Sequence, residues 1–324
     1  MNRRHLIPRR VAVFGLVAQA AAFRATTGVA ATPEGLAVWH YKGQVSDFFN
    51  AAEMKSPSYP VSYVNVEGGK MVLNAYRAKA LDYAFMSQIP ALFAGQNASP
   101  FRLIAAIQGG VSYAGLLVPE KSTAASVKDL RNKKIGYVPA TNHHYYLLKI
   151  LTDNGMTPDD IQPVPLSAAA GRAAFVGGYL DALISDDYVA ELLMEESAAR
   201  WLTSDISSGG LSFFAISARV GAMDDRIKSG LIEDYLVRER ATWDWVAANP
   251  EAWSRIMAAE TAVPERIFRR LSAGRQHAVK LVPVTQDMIR EQQKAADLFF
   301  SEGSLPNRID AESLWDLRFS RLLQ

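Results

Sequence analysis

Three consecutive polar residues, Thr141, Asn142 and His143, have the types and the spacing of a binding site for an anion or another hydrogen-bond acceptor. They follow the apolar run 135–138, which predicts a buried strand, and Pro139, which ends the ladder of that strand. The side chain of Thr141 or Asn142 can cap the helix that begins next. A capped helix start presents free N–H groups and a partial positive charge. The pattern therefore favours an anionic or acceptor group bound above this helix.

The helix itself is predicted from a stripe at positions i, i+3, i+4 and i+7, formed by His144, Leu147, Leu148 and Leu151. This stripe separates the two neighbouring histidines. His144 lies on it, which is typical of a structural core histidine, whereas His143 lies in the first turn and is the better candidate for a pocket. Because adjacent helical residues point about 100° apart, the pair does not predict a shared metal ion.

Strands and helices alternate along the chain from Leu36 onward, and a second set of such units begins at Ile135. The predicted strands of the first set are 36–40, 61–66, 83–86, 101–108 and 113–118. Beyond Ala218 the pattern is nearly all helical. The alternation predicts an α/β protein in which mostly parallel sheets are flanked by helices and ligands bind at the carboxyl ends of the strands.

Loops at other predicted strand ends carry further candidates, each with an alternative interpretation. Lys42 could offer its charge to an oxyanion or could be a solvated surface lysine. Gly68 and Gly69 could let the backbone approach a ligand or could form only a turn. Asp186 could bind a cationic group or could cap the next helix.

The composition limits the chemistry that these groups can perform. With 324 residues, 49% of them hydrophobic, the chain is long enough for two domains with real cores. It contains no cysteine, which excludes disulfides, thiolate metal sites, a cysteine nucleophile and a lipid-anchor cysteine. The sequence also has no nucleophile elbow, phosphate-binding loop or paired metal ligands. We therefore expect no enzyme activity, no cofactor and no metal site.

The N-terminus has the pattern of an export signal. Four arginines precede the apolar run 11–23, small residues at 29–31 offer a cleavage site, and Arg3-Arg4 loosely resembles a twin-arginine signal. An uncleaved anchor is the alternative, but the run is short and Arg24 interrupts it. Removing residues 1–31 removes five arginines and no acids, so the net charge of +2 becomes 2 − 5 = −3. The negative charge of the mature protein does not indicate nucleic-acid binding. The export signal leads us to expect export to the periplasm.

A family resemblance is carried by the segment 127–136, VKDLRNKKIG, and by six shorter segments. The shorter segments are YKG at 41–43, SQIP at 87–90, DIQP at 160–163, GRAAF at 171–175, GYLDA at 178–182 and ADLFF at 296–300. In this order and spacing they resemble periplasmic substrate-binding proteins of ABC importers. The most similar branch binds aliphatic sulfonates, with taurine, nitrate and thiamine-pyrimidine binders as relatives. No single motif is specific, but together they cover the chain from about residue 36 to 315.

The resemblance implies a type II-like periplasmic binding fold, with two α/β lobes, a two-strand hinge and a helical C-terminal tail. The implied lobes are 34–118 plus 217–324 for the first and 119–216 for the second, with crossings near 117–120 and 214–218. The implied partners are a small-molecule ligand in the cleft and a membrane permease that reads closure. We expect the free protein to be a monomer. The expected ligand-binding residues are Tyr41, Lys42, Gly43, Gln44, Gly68, Gly69, Ser87, Gln88, Thr141, Asn142, His143 and Asp186.

Departures from the sulfonate-binding pattern bear on the ligand. The loop that usually carries glycine and serines keeps only the hydroxyl of Thr141, and Phe85 and Met86 stand where small or hydroxyl residues are expected. Fewer hydroxyls, more apolar bulk and Asp186 argue against a small hydrated anion and favour a larger or zwitterionic organic ligand. Alternatives are a sensing module for a signalling partner and a binder of a thiamine-pyrimidine-like compound. A desulfinase relative is disfavoured, because that mechanism needs a cysteine nucleophile.

Overall fold

The computed structural model describes residues 34–66, 68–94, 99–109, 114–204, 213–274 and 278–324. The predicted export signal, residues 1–31, lies outside the described residues. Within the described ranges, no helix combines the length and the apolar character that crossing a membrane requires.

Strands and helices of the described chain follow the predicted alternation up to Arg219. The strands are β1 (Leu36–His40), β2 (Val61–Asn65), β3 (Tyr83–Ser87), β4 (Phe101–Gln108), β5 (Ala114–Val118), β6 (Lys134–Tyr137), β7 (Gln162–Pro165), β8 (Ala182–Asp186), β9 (Arg200–Thr203), β10 (Phe213–Arg219) and β11 (Lys280–Val282). The helices are α1 (Gly69–Arg77), α2 (Ile89–Ala94), α3 (Asn142–Asp153), α4 (Ala168–Val176), α5 (Asp187–Ser197), α6 (Val220–Met223), α7 (Arg226–Ala248), α8 (Pro250–Thr261), α9 (Glu265–Gly274) and α10 (Gln286–Ser301).

The strands form two sheets with the orders β11-β4-β10-β3-β1-β2 and β7-β6-β8-β5-β9. Helices cover both, as predicted, but the sheets are mixed rather than mostly parallel. In the first sheet β1 runs parallel to β2 and β3, whereas β10 runs antiparallel to β3 and β4. In the second, β5 is antiparallel to β8 and β9. The antiparallel pairs arise because β5 and β10 enter their sheets from the other sheet, without the crossover helix that parallel pairing requires.

The chain changes sheets earlier than the sequence pattern predicts. The strand β4 ends at Gln108 in the first sheet and β5 begins at Ala114 in the second, while β9 ends in the second sheet and β10 begins at Phe213 in the first. The predicted crossings, 117–120 and 214–218, therefore overlap strands that already belong to the receiving sheet. Both strands are mostly apolar and mostly buried, so their sequence gives no signal of which sheet they join. The lobe boundaries themselves stay a prediction.

Two parts of the first lobe are not the α-helices that their residue patterns indicate. Residues 45–54 have the period of a helix, but they form a 3-10 turn, Val45–Phe48, followed by turns that end at Glu53, whose φ is +54°. Residues 310–323, in the C-terminal region whose pattern is nearly all helical, form two 3-10 segments, Glu312–Leu314 and Leu317–Leu323. In both places buried aromatic residues, Phe48 and Phe319, anchor a tight backbone to the core, and this tertiary packing outweighs the helical period of the sequence.

Two helix pairs hold the second lobe against the first. The helix α3 packs on α10, where the ring of His144 lies 5.0 Å from that of Phe299. The helix α5 packs on α9, where Arg270 Nη1 lies 2.6 Å from a carboxylate oxygen of Glu191. One contact is aromatic and the other is ionic.

Candidate ligand-binding cleft

A cavity of about 240 Å³ lies where loops from both sheets meet. Its residues come from the first lobe and from the second, as expected for a ligand held between two lobes. They are Trp39, Gly68, Gly69, Val72, Phe85, Met86, Ser87, Pro90, Val138, Thr141, Asn142, His143, Asp186 and Phe214. The cavity therefore brings together seven of the predicted binding residues, which are Gly68, Gly69, Ser87, Thr141, Asn142, His143 and Asp186.

The start of α3 forms one wall of this cavity, and its cap is the predicted one. Thr141 has an extended backbone, with φ −133° and ψ −177°, and its Oγ1 accepts a hydrogen bond from the backbone N–H of His143 at 3.2 Å. The same hydroxyl donates to the carbonyl of Val138 at 2.8 Å. Because its single proton is already committed, Thr141 shapes the loop and has no hydrogen left to donate to a ligand.

The start of α1 faces the start of α3 across the cavity. Gly68 has φ +81° and caps α1 without any side-chain hydrogen bond, so backbone N–H groups of the first turn keep no side-chain partner. A Cβ added at Gly69 would lie 2.9 Å from Pro90 Cγ and 3.3 Å from the carbonyl oxygen of Ala140. Glycine is thus required for the close approach of α1 to the α3 loop, and two helix starts contribute positive potential to one cavity.

An ion pair between His143 and Asp186 crosses the second-lobe side of the cavity. Nε2 of His143 lies 3.2 Å from Oδ2 of Asp186, which stands at the end of β8. Burial opposes the positive charge of His143 and is the largest single effect, but Asp186 and then Asp187 outweigh it, so the pKa of His143 is raised. Two roles were predicted for Asp186, binding a cationic group or capping the next helix. Its side chain makes no capping hydrogen bond at the start of α5, so the structure does not support the capping role.

Several polar atoms of the cavity have no hydrogen-bond partner among the described residues. They are Oγ of Ser87, Oδ1 and Nδ2 of Asn142, and Nδ1 of His143. Asn142 is only 3% exposed, so neither end of its amide is hydrated by bulk solvent. Buried polar groups in proteins are nearly always paired, and leaving one unpaired costs about 1–3 kcal/mol. Four of the unpaired polar atoms of the described residues therefore belong to residues that line this one cavity.

Aromatic side chains form an apolar wall of the cavity, and of these only Phe85 was indicated by the sequence pattern. Trp39 stacks on Phe85 with ring centroids 6.0 Å apart, and Phe85 packs on Phe214 at 4.9 Å. Trp39 is held in place because its Nε1 donates to the carbonyl of Val66 at 2.7 Å. In the sequence these residues belong to strands and are indistinguishable from core residues. The only signal was the position of Phe85 and Met86 at a strand end.

Five predicted binding residues, Tyr41, Lys42, Gly43, Gln44 and Gln88, do not line the cavity. The loop of the first four folds on itself, because Gly43 N–H donates to Asp47 at 2.8 Å and Gln44 N–H donates to the carbonyl of Tyr41 at 3.1 Å. Strand β1 instead presents Trp39. A role in binding for these five predicted residues stays a prediction, which the geometry does not favour.

Gln88 and His144 are directed into the protein rather than into the cavity. Gln88 is fully buried, and its backbone carbonyl accepts a hydrogen bond from Gln292 at 2.8 Å. His144 lies among aromatic rings, 4.8 Å from Tyr137, and burial lowers its pKa to about 4. This environment agrees with the structural interpretation of His144. Over the described ranges, no cluster of three or more histidine, aspartate and glutamate side chains could hold a metal ion.

Two mixed α/β sheets that enclose a cleft at their strand ends define the class of periplasmic binding proteins, and comparison with solved structures supports this. The alkanesulfonate-binding protein SsuA of Xanthomonas axonopodis pv. citri, bound to MOPS, superimposes with a TM-score of 0.78 at 25% identity over 88% of this chain and 99% of that one. The periplasmic aliphatic sulphonate binding protein SsuA of Escherichia coli gives 0.75 at 22% identity over 88% and 93%. The profile of the family described as NMT1/THI5 like matches residues 41–253, and the chain belongs to that family.

One protein of similar fold is an enzyme. The desulfurization enzyme DSZB superimposes with a TM-score of 0.63 at 15% identity, over 89% of this chain and 98% of that one. At this identity the similarity is one of fold. The two relatives with higher identity are both binding proteins, in agreement with the predicted absence of catalysis.

Proposed function

We propose that this protein is the extracytoplasmic substrate-binding component of an ABC importer and that its cleft binds an organic sulfonate. The observation that carries the proposal is the division of the cavity into two unlike walls. One wall has two helix starts and the unpaired amide of Asn142, and the other has the stacked rings of Trp39 and Phe85. A molecule with an anionic head and an apolar body matches both walls at once.

The charge of the cleft supports a bulky or zwitterionic sulfonate over a small inorganic anion. Nitrate or sulfate would leave the aromatic wall without a partner and would lie near the carboxylate of Asp186. A cationic or polar group elsewhere on the ligand would instead be attracted to Asp186. MOPS, the molecule in the Xanthomonas structure, is a zwitterionic sulfonate with a bulky ring, and a ligand of that kind is consistent with both features.

A calorimetric and thermal-shift screen tests this proposal on the chain without residues 1–31. The probes are methanesulfonate, butanesulfonate, taurine, MOPS, nitrate and sulfate. At 100 times its dissociation constant a ligand stabilises the folded state by about 2.7 kcal/mol, which gives a clear shift in Tm. We expect the organic sulfonates to shift Tm and the inorganic anions to leave it unchanged. Tight binding of nitrate alone would contradict the proposal.

A nitrogen heterocycle of the thiamine-pyrimidine kind is the second candidate. The specific observation in its favour is the nearly parallel stack of Trp39 and Phe85, inclined by 16°, beside an unpaired amide and a carboxylate. A flat aminopyrimidine could pack on the rings and form paired hydrogen bonds with such groups. Adding a 4-amino-5-hydroxymethylpyrimidine probe to the screen separates the candidates, because it lacks the sulfonate.

The proposed transport role requires export of the protein, closure on the ligand and recognition by a membrane partner. We infer that the export signal at residues 1–31 places the protein in the periplasm. We also infer that two lobes, one built on each sheet and predicted as 34–118 plus 217–324 and 119–216, close on the ligand about the segments that join the sheets. The closed form would then be read by a membrane permease, or by a signalling partner in the alternative role. We expect a monomer, which light scattering with and without MOPS would check. Retention of the precursor in a strain that lacks the twin-arginine pathway would identify the export route.

A further inference from the structure

Three neighbouring strands of the first sheet each place one aromatic residue in the wall of the cleft cavity. The residues are Trp39 of β1, Phe85 of β3 and Phe214 of β10. Because the strands are adjacent in the order β10-β3-β1, the three rings form a row along the cavity. All three side chains are half-buried, whereas Val38 and Ala215, next to two of them in the strands, are buried. The aromatic wall therefore keeps open surface that a ligand can cover.

Contacts with residues that do not line the cavity fix the indole ring of Trp39. Its Nε1 donates to the carbonyl of Val66 at 2.7 Å, and the ring of Tyr41 stacks on it with centroids 6.4 Å apart and planes inclined by 13°. Phe85 is held in turn between Trp39 and Phe214, at centroid distances of 6.0 and 4.9 Å. Because the rings are already in place, a ligand loses little affinity to ordering them.

The aromatic character of this wall bears on the body of the ligand. An alkyl chain gains only from the apolar area that it covers, and leucine, isoleucine or valine would supply such area equally well. An aromatic ring gains more from the same wall, because the faces and edges of aromatic rings carry opposite partial charges and attract one another. Three rings contributed by three separate strands therefore favour a ligand whose body is itself aromatic.

The size and the charge of the cavity limit the ligand further. Pockets for drug-sized molecules measure roughly 300–1,000 Å³, and this cavity of about 240 Å³ suits a single ring that carries a sulfonate. The starts of α1 and α3 line the same cavity and provide a place for the sulfonate. The carboxylate of Asp186 also belongs to the lining and would repel a second acidic group. These limits indicate one aromatic ring with one sulfonate.

We propose that the cleft prefers an arenesulfonate, a single aromatic ring with one sulfonate, whose ring packs on Trp39, Phe85 and Phe214. This inference rests on the proposed function and narrows its organic sulfonate to an aromatic one. The sulfonate lies at the starts of α1 and α3, and the ring lies against the aromatic wall. The three aromatic side chains thus determine specificity, and Tyr41 acts on the ligand only by positioning Trp39.

Two sulfonates of equal charge and equal carbon number test the proposal by titration calorimetry. Benzenesulfonate is compared with cyclohexanesulfonate, its saturated counterpart, and butanesulfonate is the reference for sulfonate binding in general. Burial of apolar surface alone would favour cyclohexanesulfonate, because the saturated ring is the more hydrophobic of the two. In the wild type we expect benzenesulfonate to bind about three- to tenfold more tightly, because only this ring gains from the aromatic wall. Equal or tighter binding of cyclohexanesulfonate, with butanesulfonate bound, would overturn the inference and leave the proposed function intact.

Leucine variants locate the preference for benzenesulfonate. Phe85→Leu and Phe214→Leu each remove one ring of the wall and should each lower the ratio of the two affinities at least about twofold, and the second variant serves if the first does not fold. The matched control is Phe93→Leu, because that ring packs on Phe299 at 5.1 Å and does not line the cavity, so the ratio should not change. A ratio unchanged in both wall variants, or lowered equally in the control, would overturn the inference. Failure of every sulfonate to bind the wild type would overturn the proposed function as well.

Discussion

Two clusters of buried polar groups in this protein differ in how completely they are paired. Asp82 in the first lobe receives Arg219 at 2.6 Å, Lys228 at 2.6 Å and the backbone N–H of Ala37 at 3.2 Å. In the cleft, the buried amide of Asn142 has no partner and His143 uses only one ring nitrogen. The first cluster is complete without a ligand and serves the fold, whereas the second is incomplete and is the one that we propose to serve binding. Satisfaction of hydrogen bonds, rather than burial or charge, distinguishes the two.

The strongest test of this contrast removes the centre of the complete cluster. Asp82→Ala should lower the free energy of unfolding by about 3–5 kcal/mol, because it leaves Arg219 and Lys228 without their buried counter-ion. Urea denaturation followed by circular dichroism measures the loss. The matched control is Asp153→Ala, which breaks the exposed pair with Lys149 and should cost less than about 1 kcal/mol. Similar losses of unfolding free energy in the two variants would show that the buried Asp82 cluster contributes no more to stability than an exposed ion pair.

A second test uses pH on another paired group of the first lobe. Glu239 is 1% exposed, accepts hydrogen bonds from Tyr83 and Trp243, and has a pKa that burial raises to about 7. Because the native state holds this proton more tightly than the unfolded state, the stabilisation is complete below pH 4.5 and is lost as the pH rises through about 7.

Glu239→Gln mimics the protonated carboxyl and makes this contribution measurable. The variant should gain about 3 kcal/mol relative to wild type as the pH rises from below 4.5 to above 7, from the size of the pKa shift. Urea titrations at a series of pH values give the difference in unfolding free energy. A difference that stays constant over this range would contradict the expected pKa.

The third test changes the incomplete cluster. Asn142→Ala should weaken binding of butanesulfonate or MOPS about tenfold and change the unfolding free energy of the free protein by less than about 1 kcal/mol, since no protein partner is lost. The control is Asn154→Ala, because Asn154 donates to the carbonyl of Ile150 at 2.8 Å at the other end of α3. That variant should lose stability and keep its affinity. Reversal of this pattern would show that the distinction between the clusters is wrong.

The smallest expected effect concerns the predicted loop 41–44. Lys42 is exposed and lies outside the cavity, so Lys42→Ala should change the affinity for MOPS by less than about twofold at physiological salt, where exposed charges are screened. Calorimetry at two ionic strengths measures it. A tenfold loss would show that the loop moves onto the ligand and would restore the sequence-based prediction.

The sequence predicted those parts of the site whose signal is local. The cap at Thr141, the glycines at 68–69 and the acid at Asp186 follow from the hydrogen-bonding and backbone needs of single turns, and each lies where the pattern placed it. The aromatic wall could not be predicted in this way. Trp39, Phe85 and Phe214 come from three strands, and only the pairing of those strands shows that the rings share a face of the cleft.

The sheet topology was predictable only where helices separate strands. Alternation identified the parallel neighbours β1, β2 and β3, and failed at β5 and β10, whose apolar runs fit either sheet. The position of the loop 41–44 outside the cavity has a related cause. Its position after β1 suggested a ligand contact, but the hydrogen bond from Gly43 to Asp47 turns it away, and that bond depends on geometry that a residue pattern does not encode.

The absence of a side chain at Gly69 sets how closely α1 can approach the loop before α3. A Cβ there would press on Pro90 in its own lobe and on the carbonyl of Ala140 in the other, so each added atom would increase the distance between the two lobes at this point. A graded series from alanine through serine to valine would then hold α1 and the α3 loop progressively farther apart and alter the release rate of the ligand. One position would provide a set of biosensors that differ in residence time.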